Sequence, residues 1–491
     1  MRSSSSTCTT GPEPDGPLYG SGDYDRGVRN TPDPLRAAEA KLRAAGAGDA
    51  AVNTFLQQLA RVQAGERGAL PEAELEPVDA LPEADALPEP GREEAATLLK
   101  EAVVIKLNGG LGTSMGLDGP KSLLPVKGEL SFLDVIARQV LHLRERTGAR
   151  LPLVLMNSFA TREPSLAALE AHPALTQDVP RDFLQNKVPK LRADDLMPVD
   201  WPANPAMEWA PPGHGDLYPA LVASGMLRQL RDAGYRYAFV SNADNLGATM
   251  SWRLLGWFAQ TGAPFAMEVA ARTAADRKGG HLARRRDGSG SLVLRELAQT
   301  PEADVPAFQD IARHRYFNTN NLWIDLQALD ATLSAAGGVL ELPLILNAKT
   351  VDPKDEESTP VLQLETAMGA AIDALPGAVA IRVPRNRFGP VKATTDLLNV
   401  RSDAYVLGPD SRLALDERRH GVPPVLDLDS KRYKLVGALE ERFPQGPPSL
   451  VDCRSLTVTG DVRFGAGVVV RGDVVLEGPL EVPDGAVLGD A

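Results

Sequence analysis

Cysteine is almost missing: the 491-residue chain has two, Cys8 and Cys453, at opposite ends. That excludes a disulfide framework and a cysteine-based zinc cluster, and it suits a reducing compartment. No apolar run approaches the ~18 to 20 residues of a membrane-spanning helix, and the opening MRSSSSTCTTGPEPDG has no signal-type apolar stretch. A cytoplasmic protein without a membrane partner is expected. No basic run with interleaved aromatics occurs, so nucleic acid is not an expected partner. The six histidines are scattered, and neither a histidine metal cluster nor a Ser-His pair stands out.

What is present is ordinary globular composition, 43% hydrophobic and 24% charged, with a net charge of -13. The length accommodates two or three domains or one large domain with appendages. Most of the charge is local. From Glu66 to Glu94 ten acidic residues face two arginines, net -8, in a Pro/Ala/Glu stretch that reads as a solvated linker. The rest of the chain is near neutral, so the total says little against anionic ligands.

Residues 1–30, rich in Ser, Thr, Gly, Pro and Asp, are expected to be a disordered tail. Residues 31–94 are expected to hold a helical region, with apolar positions Val52, Phe55, Leu56, Leu59 and Val62 at helical spacing, followed by the acidic linker. From about residue 95 to 400, apolar strands alternate with amphipathic helices: VVIKL at 103–107, LPLVLM at 151–156 and YAFVSN at 237–242, with an S-x-x-D helix start at Ser131 and Asp134. This predicts an α/β domain around a mainly parallel sheet, with ligands beyond the carboxyl ends of the strands.

Over residues 401–491 a different period takes over. Leu456, Val462, Val468, Val474, Leu480 and Ala486 recur every six residues, as do Val458, Phe464, Val470, Leu476, Val482 and Leu488. A six-residue period predicts a parallel β-helix. No histidine follows His420, so a hexapeptide-repeat acyltransferase site is not expected and a structural or oligomer-forming cap is.

Strand VVIKL runs into LNGGLGTSMGLDGPKS, with five glycines, Gly109, Gly110, Gly112, Gly116 and Gly119, ahead of Lys121. Such a loop brings backbone N–H groups close to a phosphate, and the lysine adds a full charge. It matches neither the Walker pattern nor G-x-G-x-x-G.

The string instead resembles the nucleotide-binding loop of the eukaryotic-type UTP–glucose-1-phosphate uridylyltransferases, also called UDP-glucose pyrophosphorylases. PLVLMNSF, EWAPPGHGDLY, FVSNADNLGAT, KGGHL, ELAQTP, FNTNNLWIDL, NAKTVD, LQLETAMGAAI and RFGPVKATTDLL follow in family order, and with the C-terminal β-helix, also a family feature, the resemblance covers about residues 100 to 490. The resemblance implies a Rossmann-like, GT-A-like nucleotidyltransferase domain with a mixed, mainly parallel sheet and helices on both faces, followed by a left-handed parallel β-helix. It implies reversible formation of UDP-glucose and pyrophosphate from UTP and glucose-1-phosphate, dependent on Mg2+.

Residue by residue, it implies that the backbone of Leu107, Asn108, Gly109 and Gly110 holds the nucleotide, with Lys121 on its phosphates and Mg2+ on Asp244 of N-x-D. Lys392 in FGPVKATTD would approach the α-phosphate, Gln185 would read the uracil, and Gly213 in PPGHG would touch the base. His214 would contact the sugar phosphate, and Asn242, Gly280, Glu296 and Asn320 the sugar hydroxyls. An isolated lysine is ordinarily a solvated surface group, and the motif context reverses that for Lys121 and Lys392. Around Gln185 the sequence reads FLQNKVP where relatives commonly show FNQS. Relatives also extend the β-helix past the point matching VLGDA for oligomer contacts, which leaves a homo-oligomer through the β-helix an open expectation.

Two alternatives stay open. Pyrophosphorylases for UDP-N-acetylhexosamines or mixed UDP-sugars generally carry arginine after G-x-G-T, whereas Ser114 follows Thr113 here. A non-catalytic sugar-nucleotide binding protein would have lost Lys121, Asp244 or Lys392.

Overall fold

The computed structural model describes residues 33–489, so the tail expected over residues 1–30 lies outside the described residues. The helical spacing after Pro34 resolves into α1 (Pro34–Ala44) and α2 (Asp49–Gln63). Asp33 caps the first by accepting the Leu35 N–H at 3.0 Å. Leu42, Val52, Phe55 and Leu59 close over Leu191, Leu344 and Leu364 of a small three-stranded sheet and over the neighbouring Val188.

The central sheet has ten strands: β1 (Leu75–Pro77), β2 (Ala102–Asn108), β3 (Leu153–Asn157), β4 (Asp182–Leu184), β5 (Tyr237–Asn242), β6 (Phe265–Ala271), β7 (His281–Arg285), β8 (Leu292–Arg295), β9 (Tyr316–Asp325) and β10 (Val379–Arg382). Its order is β1-β7-β9-β5-β2-β3-β4; β6 pairs with β9 and β10, and β8 pairs with β7. Only β1, β8 and β9 run against the other seven, so the sheet is mixed and largely parallel.

Alternation fixes its two faces. Val103, Ile105, Val154, Ala238 and Val240 pack to one side, and Val104, Leu153, Leu155 and Phe239 to the other. Each of the Val, Leu, Ile and Phe side chains among them contributes ~1.5–3 kcal/mol of burial. Helices α3 (Phe132–Thr147) and α5 (Trp252–Thr261) cover the second face, while α4 (Leu217–Ala223) and α6 (Leu326–Ala335) cover the first. The start of α3 carries the expected reciprocal cap: Ser131 Oγ accepts the Asp134 N–H at 3.1 Å, and Asp134 Oδ2 accepts the Ser131 N–H at 2.9 Å.

The acidic Pro/Ala/Glu stretch is not the solvated linker its composition suggests. Leu75–Pro77 adds an edge strand against Ala283–Arg285, and Leu70, Leu75 and Val78 are buried. Glu72 meets the buried Arg295 at 2.6 Å. Three apolar side chains and one well-placed carboxylate outweigh an average composition that looks like linker.

At the C-terminal end the strands pair in parallel at a constant offset: Leu456 with Val474, Val462 with Leu480 and Val469 with Val487, each 18 residues apart, or three six-residue repeats. Leu456, Val462, Val468 and Val474 are buried, whereas Leu480 and Val487 at the outer end are exposed. Among the described residues no helix is long and apolar enough to cross a membrane.

Candidate active site

Parallel pairing sets Asn242 of β5 in register with Leu107 of β2. The carboxyl ends of these neighbours therefore bring the glycine loop and the N-x-D turn together. Between them lies a cavity of about 380 Å³ lined by Leu107, Asn108, Gly109, Gly110, Lys121, Gln185, Gly213, His214, Asn242 and Asp244. The Lys121 N–H donates to the Gly110 carbonyl at 3.1 Å, which folds the loop back, and Lys121 Nζ reaches Asp244 Oδ2 at 2.7 Å. The Asn108 amide is occupied by Asn157 and Ser165, both at 2.8 Å, so its backbone is what it offers to a ligand. Gln185 lies so close over Gly109 that a Cβ there would sit 2.2 Å from its Oε1.

A second cavity, about 490 Å³, is lined by His214, Asn242, Gly280, Glu296, Asn320 and Lys392 together with Asn318, Lys278 and Phe388. The two cavities share His214 and Asn242. The candidate site residues named in the sequence thus gather around two adjoining cavities, with Lys392 lining only the second.

Hydrogen bonds and burial shape both halves. His214 Nδ1 accepts the Met368 N–H at 2.9 Å, and burial pushes the imidazole down to about 4. The ring is neutral at pH 7 with its proton on Nε2, the tautomer that donates to an anion. Burial pushes the Glu296 carboxyl up to about 7, against the charge of Lys392. A Cβ on Gly280 would sit 2.4 Å from Glu296 Oε1, so the carboxylate rests directly on that glycine. A register irregularity between Glu268 and Val269 accompanies Asn320 in the left-handed region, φ 57, where asparagine is tolerated. Asn318 and Asn320 hold each other there, at 2.7 Å and 2.8 Å.

Several contributors were not singled out in the sequence, although some lie inside the quoted strings. Asp216, buried in the turn that follows His214, accepts the Asn186 N–H at 2.6 Å and the Asn186 amide at 2.8 Å; burial pushes it up to about 7 despite them. It ties the Gln185 segment to the PPGHG turn. Lys106, buried and pushed down to about 7 chiefly by desolvation, donates to Ser241 Oγ and to the Ala248 carbonyl, both at 2.7 Å. Glu268, fully buried, takes two bonds of 2.7 Å from Arg387 and bonds of 3.0 Å from Asn321 and Trp323. Asn245 bridges the two loops: its amide donates to the Arg387 carbonyl at 3.2 Å and its Oδ1 accepts the Gly389 N–H at 3.0 Å. Together with the Val391 N–H on the Asp244 carbonyl at 3.2 Å, this network holds the Lys392 loop opposite Asp244. Asn245 lies within FVSNADNLGAT and Arg387 opens RFGPVKATTDLL, whereas Lys106 and Glu268 lie outside the strings that carry the resemblance.

The donor set also limits the metal that fits. Asp244 is the one carboxylate lining the first cavity, and no group of three or more His, Cys, Asp or Glu gathers among the described residues. A closed zinc-type site does not fit. A hard cation that takes one carboxylate and draws its remaining oxygens from substrate phosphates and water does.

Comparison with known proteins bears on the whole arrangement. The family profile described as UTP–glucose-1-phosphate uridylyltransferase matches residues 52–471. The UTP–glucose-1-phosphate uridylyltransferase of Solanum tuberosum is 41% identical over 403 residues, covering 81% of this chain and 82% of its own. That of Saccharomyces cerevisiae is 40% identical over 400 residues, 80% of this chain and 78% of its own. A variant of the UDP-glucose pyrophosphorylase of Leishmania major, solved with UDP-glucose, superposes with a TM-score of 0.87 at 48% identity, over 93% of this chain and 98% of that one. The matched span contains every residue that lines the two cavities, and this chain belongs to the UTP–glucose-1-phosphate uridylyltransferase family.

Proposed function

We propose that this protein joins UTP and glucose-1-phosphate into UDP-glucose and pyrophosphate, reversibly. The observation that carries the reading is the pair of adjoining cavities, one walled by a phosphate-cradling glycine loop with Lys121 and Asp244, the other by hydroxyl-reading side chains with Lys392. The relatives' names support the same reaction. A glucose-1-phosphate oxygen attacks the α-phosphorus of UTP in line; that P–O bond forms as the bond to the β-phosphate oxygen breaks and pyrophosphate leaves. No covalent nucleophile is needed, so the work is positioning and charge neutralisation.

Backbone N–H groups of Leu107 to Gly110 and the Lys121 ammonium bind the triphosphate. Gln185, held by the Asn186–Asp216 pair, reads the base beside Gly213. His214 Nε2–H and Asn242, on the shared wall, orient the sugar phosphate, while Gly280, Glu296 and Asn320 read the hydroxyls. Lys392 supplies positive charge where negative charge builds up at the α-phosphate. Asp244 would hold Mg2+, which when bound neutralises phosphate oxygens.

The chain's ends enter this reading as scaffolding. The constant 18-residue offset supports two coils of a left-handed parallel β-helix over residues 401–491, a cap to a catalytic unit at 95–400 and a surface for a homo-oligomer. Two cysteines in the whole chain suit a cytoplasmic location.

The test is pyrophosphate release by purified protein with UTP, Mg2+ and a panel of sugar-1-phosphates. Release with glucose-1-phosphate is expected; release only with an N-acetylhexosamine-1-phosphate would overturn the sugar assignment. In the same assay Asp244→Asn should raise the Mg2+ concentration for half-activity about 10-fold or more, since one of few protein oxygens is lost. An unchanged metal dependence would remove Asp244 as a ligand.

A further inference from the structure

Behind the second cavity lies a buried cluster that the reaction does not use. His281 and His314 stack with ring centroids 3.8 Å apart, both fully buried, beside Arg295, also fully buried, and Arg272. The negative charge that answers Arg295 and His314 comes chiefly from Glu72, on the acidic stretch far away in sequence. Glu72 reaches Arg295 NH1 at 2.6 Å, Arg313 Nε at 2.7 Å and His314 Nε2 at 3.0 Å. Its N–H donates to Asp304 Oδ2 at 2.7 Å, and Asp304 meets Arg295 NH2 at 3.3 Å. Arg272 spends its guanidinium on carbonyls, those of Phe308 and Arg277 among them, at 2.8 Å and 3.0 Å. Burial works to raise the Glu72 carboxyl, yet Arg313 and His314 hold it below its ordinary value.

The cluster is one residue away from the sugar-reading groups on each strand. His281 and Arg295 are register partners in the β7–β8 hairpin. Gly280 precedes the first, Glu296 follows the second, and the Glu296 carboxylate rests on Gly280. The Gly280 carbonyl accepts the Asn318 N–H at 3.0 Å, which links the same wall to the Asn318–Asn320 pair. Whatever fixes Arg295 and His281 therefore fixes the spacing of Gly280, Glu296 and Asn320.

We infer that Glu72 is a positioning residue for the sugar half of the site: by neutralising Arg295, Arg313 and His314 it locks the β7–β8 hairpin that presents Gly280 and Glu296 to the sugar phosphate. This rests on the proposed function and adds a positioning role to a segment outside every catalytic motif. With the carboxylate gone, Arg295 keeps only the longer contact to Asp304, and a buried guanidinium poorly paired draws its strand toward other partners.

The test is steady-state kinetics of Glu72→Gln, which keeps the side chain's shape, beside wild type, with thermal melting of both. KM for glucose-1-phosphate should rise about 10-fold, as expected when reading groups shift by a fraction of an ångström, while KM for UTP stays within about twofold. Glu72→Asp, which restores the charge, should recover part of the loss, and it carries the test if the glutamine variant does not fold. A merely structural role would lower the melting temperature and leave the two KM values unchanged or moving together, and either result overturns the inference. Wild type that turns over UTP but not glucose-1-phosphate would instead overturn the proposed function, and this inference with it.

Discussion

The two halves of the proposed site are built from different material. The nucleotide half stands on parallel strand ends and backbone: β2 and β5 lie in register, and the loop they support offers N–H groups, one ammonium and one carboxylate. The sugar half stands on the antiparallel part of the sheet, where β7, β8 and β9 meet, and it offers side chains, among them a half-buried carboxylate pushed up to about 7 and an asparagine in the left-handed region. Backbone suits a ligand whose charge dominates its recognition. Hydroxyls that differ only in orientation need individually aimed side chains, and aiming them takes a bulge and a buried charge cluster.

Lys392 joins the halves, lining the sugar cavity while its loop is pinned to the Asp244 turn. Its removal should have the largest effect. Lys392→Ala should lower kcat at least ~100-fold, ~2.7 kcal/mol of lost transition-state stabilisation, with smaller changes in either KM. Single-turnover measurement at saturating substrates checks this; turnover close to wild type would leave the two halves without their proposed link.

The contrast also accounts for what was readable beforehand. Residues of the nucleotide half fall in contiguous strings, because a loop following a strand is a local object: Gly109, Gly110 and Lys121 lie within one 16-residue run. The alternation of strands, the α3 cap and the six-residue period were readable for the same reason, each being set by neighbours in sequence. The supports were not. Lys106 finds Ser241 across 135 residues, Glu268 finds Arg387 across 119, and Glu72 finds Arg295 across 223. No local pattern marks such pairs, and the misread acidic stretch is the same failure: what docks it is a partner more than 200 residues away.

A matched pair of substitutions sharpens the comparison. A methyl on Gly109 displaces the end of Gln185, and a methyl on Gly280 displaces the Glu296 carboxylate; both obstacles are tips of flexible side chains, so folding should survive. Gly109→Ala should raise KM for UTP about 10-fold, ~1.4 kcal/mol, and leave KM for glucose-1-phosphate nearly untouched, while Gly280→Ala should do the reverse. Crossed effects would show the halves to be one recognition unit.

The smallest expected effect is a pH dependence. Glu296 has a folded value of about 7, above the ~4.3 of a free glutamate, so between these values the native state binds more protons than the unfolded one. Its contribution to stability is therefore highest below that window, falls as pH rises through it, and is flat above. Glu296→Gln should lack that slope in a series of thermal melts. The same titration should appear in function: as pH drops through 7 the carboxylate gains a proton and loses acceptor capacity, so KM for glucose-1-phosphate should rise about threefold between pH 8 and 6. The substrate phosphate titrates near ~6 on its own, but equally for both proteins, and His214, pushed down to about 4, stays neutral throughout. Asp216, pushed up to about 7, sits on the nucleotide side and acts on KM for UTP. The glutamine variant should thus flatten the pH profile for the sugar phosphate and leave that for UTP as it was; flattening of both would mean that the shared wall at His214 and Asn242 transmits the charge of one half to the other.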